Sequence, residues 1–132
     1  MASSSYLMKL GEYTFSIDSA AYQTLLRTTE YRWRSQSRID RLPAQQFVGP
    51  GQDTLSLEGV IYPYFRGGLG QLDAMRQEAG KGEPLMLVDG TGFIWQQWVI
   101  TQVEETQRIL FEDGSPRKVE FRLQLTRYGE DI

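Results

Sequence analysis

The stretch K-V-E-F-R-L-Q-L-T-R-Y, from Lys118 to Tyr128, opens with eight residues in strict alternation. Val119, Phe121, Leu123 and Leu125 are apolar, while Lys118, Glu120, Arg122 and Gln124 between them are polar. Successive side chains of a strand point to opposite faces, so this period of two predicts a strand with one face buried and the other wet. Just before it stands Asp113-Gly114-Ser115-Pro116, and Asp-Gly tolerates the positive φ angles of a tight hairpin turn. Ile109-Leu110-Phe111 leads into that turn. The same signals recur upstream: the apolar run Leu85 to Val88, then Asp89-Gly90-Thr91-Gly92, then aromatic and β-branched residues from Phe93 to Val103. Two consecutive hairpins make an antiparallel sheet the natural architecture.

Two more alternating runs lie further upstream. Leu55, Leu57 and Ile61 alternate with Thr54, Ser56 and Glu58 in the run to Tyr62. In Tyr31 to Ile39, Tyr31 and Trp33 face one way, and Arg32, Arg34, Gln36 and Arg38 the other. Between these runs, Arg41 to Asp53 carries Pro43, Gly49, Pro50 and Gly51 and reads as a long connection, a feature that in a small domain points to a contact. Ser19 to Arg27 reads as a short helix capped by Ser16, Asp18 or Ser19. Leu69 to Ala79 reads as the principal helix, with Leu69, Leu72, Met75, Arg76 and Ala79 near one face, and Gly80, Gly82 and Pro84 ending it. Strands, one helix and more strands give an α+β fold, an antiparallel β-sandwich or partial barrel with one principal helix.

A chain of 132 residues with 40% hydrophobic and 23% charged residues suits one domain, 1–132, with Met1 to Ser5 a flexible N-terminus. No run of about 18 apolar residues marks a membrane helix. The start lacks the pattern of a secretory signal, so a cytoplasmic origin is expected. With no Cys and no His, thiolate nucleophiles, Cys-ligated zinc and histidine-based acid–base chemistry are excluded. The net charge of −3 argues against a nucleic-acid binder overall. Its distribution is uneven: Arg27, Arg32, Arg34, Arg38 and Arg41 stand against only Glu30 and Asp40, a local +3 that leaves −6 for the rest.

The glycine-rich stretch Gly67 to Gly82 contains a Gly-Lys pair and raises the question of a phosphate loop. Gly80-Lys81 is followed by Gly82, where a Walker loop needs Ser or Thr, and Met75 stands where its first glycine belongs. The dinucleotide pattern fails too, because Asp73 occupies the third glycine position and would repel a pyrophosphate. The glycines serve a strand–helix–strand crossover instead. Glu104 and Glu105 are adjacent on a strand, point to opposite faces and cannot flank one glycosidic bond. No catalytic, cofactor-binding or metal-ligating constellation emerges.

Interface candidates remain. The face of Arg32, Arg34 and Arg38 reads as a solvated strand face, as a contact for an acidic neighbouring subunit, or, ranked last, as a DNA-facing lumen, since a basic lumen would hold phosphates. Trp33, Trp95 and Trp98 read first as core. A spacing of three puts Trp95 and Trp98 on opposite faces of a regular strand, which leaves one of them for an interface, as for Tyr62, Tyr64 and Phe65.

The run E-G-V-I-Y-P-Y-F-R-G-G-L-G-Q-L-D-A-M-R-Q-E-A-G-K-G-E-P-L-M-L-V-D-G, Glu58 to Gly90, resembles the phage tail protein U family of contractile-tailed bacteriophages and their relatives, the R-type pyocins. The resemblance runs from about Leu7 to Gly129, through Leu10 to Ile17, Thr29 to Trp33, Val103 to Thr106 and Val119 to Leu123. It implies a virion structural protein and no enzyme, with a tail-tube-like domain and no cofactor. It further implies a homo-oligomeric ring, a hexamer by tail symmetry, near the baseplate. The implied partners are the tail tube, the central hub protein, a LysM-type tail protein and the surrounding baseplate proteins, with no specific nucleic acid and no membrane. The particle would be a phage virion tail or a pyocin, assembled in the bacterial host cytoplasm. A tail terminator at the head-proximal end and a soluble non-catalytic binding module are the alternatives.

Overall fold

The structure, a computed structural model, describes residues 7–15, 22–62, 70–110, 112–114 and 116–129. Its elements are β1 (Met8–Leu10), β2 (Tyr13–Phe15), β3 (Tyr22–Gln36), β4 (Ala44–Ile61), α1 (Gly70–Gly80), β5 (Leu85–Asp89), β6 (Ile94–Leu110) and β7 (Pro116–Arg127). All the strands join one antiparallel sheet in the order β2-β1-β5-β6-β7-β4-β3, which is not closed. Both expected hairpins are present, β5 to β6 through Asp89 and β6 to β7 through Asp113.

The alternation of β7 is realised as read. Val119, Phe121, Leu123 and Leu125 are buried against Leu55, Leu57 and Ile61 of β4, and Arg122 is exposed. Met8, Leu10, Tyr13, Phe15, Leu85 and Leu87 from the short strands complete the same core, together with Trp98 and the helix residues Leu72 and Met75. The sheet therefore coils over its own apolar face. The rings of Phe15 and Tyr22, from the two strands at opposite ends of the order, meet edge-on at 5.8 Å. The turn between β1 and β2 is tight enough to demand glycine: Gly11 has φ +60°, and a Cβ there would lie 2.8 Å from Leu85 Cδ2 and 2.9 Å from Glu78 Oε2.

Three expectations need correction. Residues 22–27 are not helical but form the start of β3, because pairs such as Leu25 with Leu57 and Arg27 with Leu55 outweigh local propensity. The connection expected over Arg41 to Asp53 is mostly strand: β4 starts at Ala44 and pairs with β3 through Gly49 and Pro50. Proline fits because β7 stops at Thr54, so one side of β4 has no ladder to interrupt, and Gly49 (φ +143°) supplies the irregularity. On the helix, Glu78 is buried with Leu72 and Met75, whereas Arg76 points away from the core.

Candidate assembly surfaces

Beyond Thr54 the β3–β4 hairpin leaves the sheet as a two-stranded arm, paired from Thr29 with Asp53 to Gln36 with Ala44. Its root is clamped. Arg27 donates from Nε to Asp53 Oδ1 at 3.0 Å and from Nη2 to Oδ2 at 2.5 Å, and Thr29 Oγ1 donates to Asp53 Oδ1 at 3.1 Å. The guanidinium lies 5.6 Å from the Trp95 ring centroid and 5.7 Å from that of Trp98, within cation–π range. The hydrogen bonds from Arg27 hold the Asp53 carboxyl below its usual pKa, and the same pair raises that of Arg27.

The arm itself exposes Tyr31, Trp33, Phe47, Val48, Ile39 and Leu42. The rings of Trp33 and Phe47 meet edge-on across the strands at 5.0 Å, yet remain 59% and 50% exposed. Arg38 donates from Nε and Nη2 to the Leu42 carbonyl at 3.0 and 2.8 Å and shapes the tip turn. Among the described residues Arg32, Arg34 and Arg41 have no ion-pair partner. An isolated two-stranded hairpin with exposed aromatics is marginal in water, so this element is suited to a partner.

Among the described residues the sheet has two long free edges. Among the described residues, no strand pairs with the outer side of β3. The β5 side of β6 is likewise unpaired after Trp98, because β5 covers only its first residues. Between these edges the strands β6, β7, β4 and β3 present a polar face of Thr54, Ser56, Glu58, Arg122, Gln124 and Thr126, with two shallow hollows of about 500 and 360 Å³. The two adjacent glutamates diverge as expected. Glu104 approaches Arg122 on the polar face, while Glu105 accepts from Arg76 Nη2 of α1 at 2.6 Å on the other.

Lys81, the lysine of the Gly-Lys pair, donates to Glu78 Oε1 at 2.9 Å and to Glu12 Oε2 at 3.2 Å. Two carboxylates at this ammonium leave no site for a phosphate. Glu78 Oε2 is buried without a hydrogen-bond partner among the described residues.

The Phage P2 GpU family model matches residues 11–130. The chain belongs to the Phage P2 GpU family. It is thus a structural protein of a phage tail. A protein described as a probable tape measure protein from Halomonas phage phiHAP-1 is 32% identical over 126 residues, 94% of this chain, although the chain spans only 14% of that relative's length. A chain in a solved structure described as the tail of an empty GTA particle with C6 symmetry has the same fold, with a TM-score of 0.54 at 14% identity, covering 96% of this chain and 92% of that one.

On this GpU-family fold, Arg32, Arg34 and Arg38 all fall on the arm or its tip. Tyr62 is exposed at the far end of β4, and Tyr64 and Phe65 lie outside the described residues. Trp95 and Trp98 do not diverge. Gln96 takes φ +76° at a bulge where β6 pairs with Leu87 and Val88 of β5. The extra residue shifts the alternation, so both indoles face Arg27. Trp98 is fully buried, its Nε1 donating to the Trp95 carbonyl at 2.9 Å, and half-buried Trp95 donates to Asp89 Oδ2 at 3.2 Å. An edge strand open to a neighbour is expected from the sequence, but which strands stand at the edges and the Arg27 clamp are not, because both depend on strand order, which turn and strand signals alone do not specify.

Proposed function

We propose that the chain is a non-catalytic ring subunit of a contractile tail, closing a β-barrel through its neighbours. The observation that carries this is the pair of free edges on opposite sides of the β6–β7–β4–β3 sheet. Rotation about an axis along the strands preserves strand direction, so β3 of one copy meets β6 of the next antiparallel, continuing the alternation of the sheet. Main-chain bonds supply affinity in such strand addition. The wet face then turns inward and the helix outward. Six copies fit the C6 symmetry of the structurally similar GTA tail.

The ring belongs near the baseplate, where it joins the hub and LysM-type tail protein to the tube and surrounding plate. The basic arm reaches an acidic neighbour, its arginines pairing with carboxylates around an aromatic anchor. The Halomonas phage relative supports a place beside the tape measure: one polypeptide there holds a similar domain within a probable tape measure protein. The test is oligomeric mass in solution followed by cryo-electron microscopy of particles. A hexameric ring between hub and tube supports the reading, density at the head-proximal end makes it a terminator, and a monomer that stays monomeric beside tail partners makes it a binding module.

A further inference from the structure

Among the described residues the polar face carries three carboxylates, Glu58, Glu104 and Glu120, and three cations, Arg108, Lys118 and Arg122, and all six are paired. Arg122 stands between its two register partners, with Nη2 2.5 Å from Glu58 Oε1 and Nη1 3.7 Å from Glu104 Oε2. Two residues along β7, Glu120 accepts Arg108 Nε at 2.9 Å and lies 3.6 Å from Lys118 Nζ. Toward the arm the face continues in uncharged groups, Thr54, Ser56, Gln124, Thr126 and Thr101. Exposed ion pairs contribute little to stability, so stability does not account for a ladder placed across three strands.

We propose that this face lines the passage of the ring and cancels its own cations so that duplex DNA slides past without being held. The proposal rests on the ring reading above. Binding of duplex DNA is driven by Lys and Arg neutralising phosphates and releasing counterions. A guanidinium already seated between two carboxylates offers a phosphate no such contact, and the carboxylates beside it repel the polyanion. Hydroxyl and carboxamide groups stay hydrated and add no charge. The opposite face of the same four strands is taken by the core and α1, so a passing polymer meets only the cancelled face.

The variant Glu58→Gln/Glu104→Gln/Glu120→Gln keeps side-chain shape and frees the three cations. Titrated against a labelled duplex between about 50 and 200 mM salt, it binds more tightly than the unaltered protein, by tenfold or more at the low end, and its salt slope steepens by about 2–3, roughly 0.9 for each cation freed. Glu83→Gln/Glu112→Gln removes negative charge away from the face without freeing a paired cation and leaves the slope unchanged, while the arm arginines contribute the same background to every sample. An unchanged slope in the ladder variant, or an equal gain in the control, overturns the proposal. Placement is read separately, because the chain has no Cys. Gln124→Cys in assembled rings reacts with a small maleimide and not with a bulky polymer maleimide, and equal reaction with both overturns the passage. Failure of the ring reading has a different signature, subunits that never assemble, and it is seen in the oligomeric mass before either reagent is added.

Discussion

Arg27 links three parts of the chain through one planar group: β3, the carboxylate of β4 and two indoles of β6. Lysine has the charge but not the fork or the stacking plane. Arg27→Lys is therefore expected to destabilise the fold by about 1–2 kcal/mol, lowered from the value of a buried pair because the side chain is partly exposed, and thermal melting checks it. Asp53 gives this contact a pH dependence. Its folded pKa lies below the unfolded value of about 3.9, so its contribution is fully present above that value and is lost as pH falls through the folded pKa. The melting temperature of the unaltered protein should fall more steeply below about pH 4 than that of Asp53→Asn, and equal slopes would rule out the clamp as the cause. Gly11→Ala should cost about 1–3 kcal/mol, since the new methyl meets Leu85 and the φ is unfavourable.

At the scale of elements the arm separates folding from assembly. Its residues bury little within the subunit, whereas the sheet core is complete without them. Replacing residues 32–49 by Asn-Gly, which closes a two-residue hairpin between Tyr31 and Pro50, should leave the melting temperature within a few degrees and abolish assembly. The charge reversal Arg32→Glu/Arg34→Glu tests the electrostatic part alone, and normal particles from that variant would remove the arginines from the interface. Both hairpins and the helix over 70–80 were legible because Asp-Gly turns, alternation and glycine stops act locally. Of the arm, the alternation from Tyr31 showed the β3 half, but the β4 half was hidden, because Gly49, Pro50 and Gly51 write loop chemistry into a strand that tolerates them only for lack of a second neighbour. The expected divergence of Trp95 and Trp98 fails for a related reason: a bulge at Gln96, with no glycine to announce it, moves both side chains to one face, while Trp98 is core as first read.

At the scale of the whole molecule, strand order decides what the surface can do, and order is the least local property of a sheet. Lys118 to Tyr128 foretold that β7 has a dry and a wet face. It carried nothing about which strands would be left at the edges. A free β3 is also a hazard, since unpaired N–H and C=O groups recruit any strand, and closure into a ring limits that growth. Leu26, exposed on β3, gives a direct test. Leu26→Lys should leave the subunit folded, with a stability change within about 0.5 kcal/mol, while a charge on the edge prevents ring formation, as read by light scattering.

The β3–β4 ladder also fixes how the molecule takes a mechanical load. Its hydrogen bonds lie across the strands, so tension along them shears the register from Thr24 to Gln36 all together, whereas tension applied at the tip turn opens one pair at a time. A neighbour that grips the arm along its flank at Trp33 and Phe47 engages the full strength of the ladder. One that pulls on Ile39 or Leu42 meets only the last pair, and the same arm that is rigid from the side unzips from its end.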